Sequence, residues 1–314
     1  MTRSATSVAY FGPAGTFTEQ ALLTQSDYAK AELRPMSTIV DVLEAVATGG
    51  SDLGFVPLEN GIEGTVPITL DSLVFDYDLL IQREVVLDIH LALMANEGTR
   101  VSDVKIVASF PHALGQCRKF LAATMPHVTT RQAPSTAEAA RALAQDPEAG
   151  TAVIAPPSAA AEYGLAILSE QIEDHPQNQT RFVALARSGI PRITGHDRTS
   201  IVCFQGADHP GSLHSILGQF SARDINLTKL ESRPTKQALG DYCFVIDLEG
   251  HVGDEIVADC LRDLHASLVQ VKFLGSYPAA GRHGPGRRRD AEEAWRLADE
   301  WVRDLRAQIG GQGE

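Results

Sequence analysis

The sequence predicts an α/β protein of two lobes, followed by a separate ferredoxin-like βαββαβ domain. Three observations carry this. From Val8 to Leu185, short apolar runs alternate with capped helical patterns, the order of parallel α/β sheets with ligands at strand C-terminal ends. Within that stretch, residues 79–94 alternate through Ile81, Val85, Leu87, Ile89, Leu91 and Leu93 for longer than an ordinary strand, which marks a crossing between lobes. From Thr199 the order becomes strand, helix, strand, strand, helix, strand. The expected boundaries are 1–187 for the two lobes (1–92 with 176–187, and 93–175), 198–277 for the ferredoxin-like domain, and 278–314 for a basic linker and amphipathic tail.

The elements follow in order. Residues 8–11 form a short strand closing on Gly12-Pro13-Ala14-Gly15. Thr16, with Glu19 three residues on, caps a helix through Ala21, Leu22 and Leu23. Such a turn is an anion cradle or simply a tight connection; no Gly-Lys-Ser/Thr follows, so it is not a P-loop. Thr38 with Asp41 caps a second helix, with Ile39, Val42, Leu43 and Val46 inward and Gly49-Gly50 at its end. Residues 52–57 read as a buried strand, 59–65 as a polar, glycine-containing loop, and Ile68, Leu70, Leu73 and Val74 as a helix face. After the crossing, 104–108 is a strand, and Ser109-Phe110-Pro111 turns into one helix carrying Leu114, Cys117, Phe120 and Leu121. Ser135 with Glu138 caps an alanine-rich helix, 151–155 is a strand, Pro157 opens a short helix, and 166–168 closes the lobe.

Residues 174–185 return to the first lobe. The stretch opens polar, with Pro176 excluding regular helix, and closes on apolar Phe182 to Leu185. Thr180 and Arg181 therefore stand where loop meets strand, a place suited to holding a small anion, though a polar loop entering a core strand has the same pattern. If 180–182 is extended, Arg181 points away from Thr180, as an ion-pair residue of the lobe; the other reading makes it a substrate clamp. Residues 188–192 form a linker. Strands at 199–205, 225–233, 241–248 and 269–276 and helices at 212–223 and 254–267 follow. Arg282-His283-Gly284-Pro285-Gly286-Arg287-Arg288-Arg289 is a solvated basic linker. Trp295, Ala298, Trp301, Val302, Leu305 and Ile309 share one face of a final helix, expected to dock on this chain or a neighbouring subunit.

Composition narrows the function. The chain has 314 residues, 44% hydrophobic and 21% charged, with a formal charge of −13. So acidic a protein has no general attraction for nucleic acid or an anionic membrane, and any anion site needs local donors. Cys117, Cys203, Cys243 and Cys260 are widely spaced and form no C-x-x-C pair, so reduced thiols and no metal site are expected. No leader-like segment opens the chain and no apolar stretch approaches membrane-spanning length, which gives a cytoplasmic expectation.

Five motifs, in order, resemble the prephenate dehydratase family: Gly12-Pro13-Ala14-Gly15-Thr16-Phe17-Thr18-Glu19, Val56-Pro57-Leu58-Glu59-Asn60-Gly61-Ile62-Glu63-Gly64, Ser109-Phe110-Pro111-His112-Ala113-Leu114-Gly115-Gln116-Cys117, Asn178-Gln179-Thr180-Arg181-Phe182 and Glu231-Ser232-Arg233-Pro234. The resemblance implies a periplasmic-binding-protein-like catalytic domain with an ACT regulatory domain behind it. It implies a cofactor-free, decarboxylating dehydration of prephenate to phenylpyruvate, in which the enzyme mainly helps hydroxide leave. By this resemblance Thr180 serves the leaving hydroxyl, as donor or relay. Glu59 is the candidate proton source, given apolar or anionic surroundings, or else a structural carboxylate. Asn60, Ser109 and Gln116 match positions lining the cleft, and Thr16, Thr65, Asn178 and Arg181 complete the candidate substrate set. His112 is a possible acid or a merely exposed histidine. In the ACT domain, Gly211, Ser212, Leu213, Asn226, Leu227, Glu231 and Ser232 form the candidate site for L-phenylalanine across a domain pair. Gly211-Ser212-Leu213-His214 departs there from the family's Gly-Ala-Leu-Val. A paired site implies a homodimer or a dimer-of-dimers tetramer. The alternatives are arogenate dehydratase and a non-catalytic amino-acid sensor.

Overall fold

The computed structural model describes residues 7–205, 210–236, 240–268, 270–281, 297–298 and 300–308. The chain divides into two compact units, Met1–Tyr77 with Glu84–Arg187, and Asp78–Arg83 with Ser188–Glu314. In the first unit, one lobe is built from β1 (Ser7–Phe11), α1 (Phe17–Leu23), β2 (Glu32–Met36), α2 (Ile39–Ala47), β3 (Leu53–Asn60), β4 (Gly64–Thr65), α3 (Pro67–Asp71) and β5 (Leu80–Asp88), whose first residues belong to the second unit. The other lobe holds β6 (Ala92–Ala95), β7 (Ile106–Ser109), α4 (Pro111–Gln116), α5 (Arg118–Thr124), β8 (Thr129–Gln132), α6 (Thr136–Gln145), β9 (Thr151–Ala155), α7 (Pro157–Tyr163) and β10 (Ala166–Ser169); the chain then returns as β11 (Gln179–Ala186). The sheet orders are β2-β1-β3-β11-β5, with β4 on β3, and β10-β6-β9-β7-β8.

Local chemistry sets the helix starts. Thr38 and Asp41 form a reciprocal capping box, and Ser135 accepts the Glu138 N–H at 3.0 Å. Thr16 accepts the Glu19 N–H, but the Glu19 carboxylate instead receives Gly15 N at 2.6 Å and the Tyr10 hydroxyl at 2.7 Å, fastening the turn to β1. In the second lobe, alternate strand residues feed opposite faces. Leu93, Ala95, Val107 and Ile154 pack on one side, and Ala92, Met94, Ala108, Val153 and Ala155 on the other.

Several expectations change. The run 79–94 is two strands in two sheets, broken at the crossing by residues 89–91. The helix expected after Ser109 breaks at Cys117, whose φ of −114° and ψ of 16° are not helical. The sheets are mixed: β1, β2 and β3 are parallel, but β11 runs antiparallel to β3, and β6 to β9. Apart from the short β4, which folds back on β3, the antiparallel strands are those that begin or follow a crossing. Edge strands β2 and β8 are not anticipated; all four residues of β8 are exposed, so it has no apolar period to read.

The second unit carries β12 (Asp197–Phe204), α8 (Ser212–Ser221), β13 (Leu227–Pro234), β14 (Tyr242–Glu249), α9 (Glu255–Ser267) and β15 (Gln270–Pro278), in the antiparallel sheet β13-β14-β12-β15. Both helices share a core with the sheet through Ile201, Cys203, Ile216, Phe220, Ile246, Cys260 and Leu264. This is the expected βαββαβ order. Residues 78–83 join it. Asp78 pairs with Lys272 at 3.0 Å, Gln82 donates to Gly189 O at 2.9 Å, and Gly275, at φ +141°, lies where a Cβ would stand 2.5 Å from Ile81 O. The basic linker and Trp295 lie outside the described residues. In the final helix, Leu297, Trp301 and Leu305 are exposed.

Candidate active site

The site grows from the pairing of β3 with β11. Phe182, buried and stacked on Phe55 with centroids 5.8 Å apart, pairs with Pro57, yet its neighbour Arg181 pairs with Glu59 and Thr180 with Asn60. Leu58 is thus the extra residue of a bulge. Without it, the same strands would set Glu59 opposite Thr180. One residue of slip decides whether an amide or a carboxylate faces the hydroxyl.

Asn60 is fully engaged. Its Nδ2 donates to Thr180 Oγ1 at 2.8 Å and Asn178 Oδ1 at 3.0 Å, and its Oδ1 accepts the Ile62 and Glu63 N–H groups, each at 3.0 Å. It orders the β3–β4 turn and leaves nothing to offer a ligand. The Thr180 oxygen accepts from Asn60, and its own O–H remains available as a donor. Thr180 is 8% exposed and Asn178 3%, so that donor works in a nearly dry place. Asn178 Nδ2 donates to Gln116 Oε1 at 3.2 Å, reaching across to α4. Gln116 Nε2 lies 3.5 Å from Glu63 Oε1, and His112 Nδ1 lies 3.5 Å from Glu63 Oε2.

Arg181 points the other way. Its Nε is 2.7 Å from Glu84 Oε2 and its Nη1 is 3.5 Å from Glu59 Oε2, with Arg181 and Glu84 both buried. This is the orientation expected of an ion-pair residue of the lobe. Glu59 sits with it and with Thr65 in the β3–β4 ladder, on the face away from Thr180, so the register does not offer Glu59 as an adjacent proton source. Ser109 is fully buried and donates to Ile154 O at 2.5 Å; the Thr16 hydroxyl caps α1 and donates to Phe11 O at 3.3 Å. Both hydroxyls are used locally.

Sequence reasoning missed Glu63, Glu84 and the pair His90–Glu173. Glu173 accepts from Leu91 N at 2.9 Å and sits 2.8 Å from His90 Nδ1, pinning the two crossings together. Glu84 left no signal: it falls on the polar phase of the alternation with Gln82 and Asp88, and its burial follows from its pairing with Arg181. Burial pushes the thiols of Cys117, Cys203 and Cys260 up to about 12, so none is a thiolate nucleophile at neutral pH. Among the described residues no three metal-binding side chains gather, and no helix is long and apolar enough to cross a membrane.

In the second unit, Gly211 takes φ +89° as the N-cap of α8, a backbone that strains other residues. Leu213 and Leu227 pack against the helix core, and the Asn226 carbonyl accepts the Glu249 N–H at 2.9 Å. A bulge at Thr228 sets Leu227 opposite Leu248 on the helix-facing side, with Ser232 opposite Phe244, whereas Glu231, opposite Val245, takes the other face and pairs with Lys229 at 3.3 Å.

The model of the prephenate dehydratase family matches residues 8–189, and that of the ACT domain matches 199–266. The chain belongs to the prephenate dehydratase family. The first match contains Thr180, Asn60 and Gln116 and falls on the two-lobed unit, so the catalytic part is that of a lyase; the second falls on the βαββαβ unit. A prephenate dehydratase of Mycobacterium bovis (strain BCG / Pasteur 1173P2) is 39% identical over 96% of this chain and 94% of its own. The crystal structure of the prephenate dehydratase from Arthrobacter aurescens, in complex with L-Phe, has a TM-score of 0.87 and 38% identity, covering 95% of this chain and 99% of that one. A protein described as a quorum quenching acylase shares the fold, with a TM-score of 0.79 and 25% identity over 87% of this chain and 98% of its own. The fold thus hosts more than one described chemistry, and it is the dehydratase family match that assigns this chain.

Proposed function

We propose that the chain converts prephenate to phenylpyruvate in L-phenylalanine biosynthesis, in the cytoplasm and without a cofactor, and that L-phenylalanine regulates it through paired ACT domains of a homo-oligomer. As the ring carboxylate leaves as CO2, the electrons of its C–C bond enter the ring and expel the ring hydroxyl. The product is aromatic, so the step is downhill. What the enzyme supplies is a donor for the departing oxygen, and neutral groups that do not over-stabilise a carboxylate whose charge disappears. The observation that carries the reading is the nearly buried hydroxyl of Thr180, whose oxygen accepts from Asn60 at 2.8 Å and whose O–H remains available as a donor.

The regulatory part is supported by the ACT match and by the Arthrobacter relative solved with L-Phe. Gly211, Ser212 and Leu213, with Asn226, Leu227, Glu231 and Ser232, offer backbone groups, an apolar wall and a carboxylate for an amino acid. An effector shifts activity only by binding two states differently. The test is phenylpyruvate formation from prephenate, with and without L-phenylalanine. No phenylpyruvate refutes the catalytic reading. Turnover indifferent to L-phenylalanine, with no binding by calorimetry, removes the regulatory one and leaves the catalytic one standing.

A further inference from the structure

We propose that the Glu63 carboxylate is a built-in occupant of the substrate-carboxylate site, and that His112 and Gln116 are the donors it holds until a carboxylate of the substrate displaces it. This rests on prephenate, a dianion, being the substrate.

Position comes first. The Glu63 N–H is held by Asn60 Oδ1 at 3.0 Å, and the same Asn60 amide touches Thr180 Oγ1. Glu63 is therefore placed by the residue that orients the reacting hydroxyl. Its two oxygens then face two donors on α4, in the other lobe: His112 Nδ1 at 3.5 Å and Gln116 Nε2 at 3.5 Å. One carboxylate facing two donors across the cleft is the geometry an anionic ligand needs.

Strength comes second. Both distances sit at the limit of a hydrogen bond, and the His112 and Glu63 side chains are 57% and 42% exposed. A pair this loose and wet contributes little to stability, so it is easily exchanged. Exchange of one carboxylate for another leaves the local charge unchanged.

Supply comes third. Arg181 is committed to Glu84 and Glu59 on the opposite face. The network running from Thr180 through Asn60, Asn178 and Gln116 instead reaches Glu63 and, through it, His112. The Phe110 ring, 5.2 Å from the imidazole and tilted by 39°, supports it from its own loop. Phe110 and Ile62 are both exposed, apolar groups beside these residues, suited to the hydrocarbon part of a six-membered ring.

The test is steady-state kinetics on prephenate with the full-length protein, at fixed pH and ionic strength, for wild type, Glu63→Gln, His112→Asn and the double variant, each with its melting temperature. Glu63→Gln weakens the occupant and should lower KM about 3- to 10-fold, with kcat moving less than KM. His112→Asn should raise KM about tenfold, again with the smaller change in kcat. In the His112→Asn background, Glu63→Gln should lower KM by clearly less than in wild type, because Gln116 alone is left of the two donors for which it competes. A higher KM in Glu63→Gln, a tenfold fall in its kcat, or strictly additive effects would overturn the proposal. If wild type turns over prephenate normally while one of these results appears, only the occupant falls. A wild type inert to prephenate removes the substrate assignment itself.

Discussion

Replacing Thr180 with valine isolates the hydroxyl. Valine keeps the branched shape and the strand preference of threonine and replaces the hydroxyl, both as donor and as acceptor of the Asn60 amide, with a methyl group. A lost transition-state donor of this kind costs about 10²- to 10³-fold in kcat, or roughly 2.7–4 kcal/mol. The fold should barely notice. The Asn60 amide still has Asn178 Oδ1 at 3.0 Å and Gln179 O at 3.3 Å, so no buried donor is orphaned. The stability cost is then about 1 kcal/mol, a melting shift of a few degrees. Thr180→Ser keeps the donor and should stay within about tenfold of wild type. The assay is phenylpyruvate production under saturating prephenate, alongside thermal unfolding. A valine variant within tenfold of wild-type kcat, or a serine variant as slow as valine, would refute the assignment of Thr180 to the leaving oxygen.

Asn60→Ala frees both the β3–β4 turn and the Thr180 hydroxyl, and should lower kcat/KM by about 10²-fold with far-ultraviolet circular dichroism unchanged; a collapsed melting temperature would instead make Asn60 structural. Phe182→Ala empties the stack on Phe55 and should cost about 3–5 kcal/mol in urea unfolding, so a loss under 1 kcal/mol would show that Phe182 does not anchor the strand. The thiols of Cys117, Cys203 and Cys260 rise from an ordinary 9.0 to about 12 in the folded chain. A raised folded value means stability that is intact below pH 9 and lost as pH climbs toward 12; equal urea midpoints at pH 8 and pH 10.5 would contradict this burial.

What could be read from the sequence was whatever local chemistry sets. The Thr38–Asp41 box and the Ser135 cap need only neighbours three residues away, and both form. The βαββαβ order was legible because each element carries its own period. The pleat alone implied that Arg181 would turn from Thr180, and its pairing with Glu84 follows. Register is a different matter. The bulge at Leu58, which sets Asn60 rather than Glu59 opposite Thr180, depends on how β3 meets a strand more than a hundred positions later. Nothing in 56–64 alone encodes it. Glu63 was hidden for the same reason: its meaning comes from α4, which the sequence places far away.

Strand β5 belongs to both units, and this bears on how such a chain can be taken apart. Ile81 lies against Gly275 so closely that any side chain at 275 would collide with its carbonyl, and Asp78 holds Lys272. A stop codon or a recombination junction placed in the 188–197 linker therefore does not free a catalytic module. It strips residues 78–83 of the strand they were built against and leaves the second unit short of a piece encoded more than a hundred residues earlier. A working chimera would have to inherit 78–83 from the same parent as Lys272 and Gly275, so the two functions are expected to evolve as one inseparable gene segment rather than as exchangeable parts.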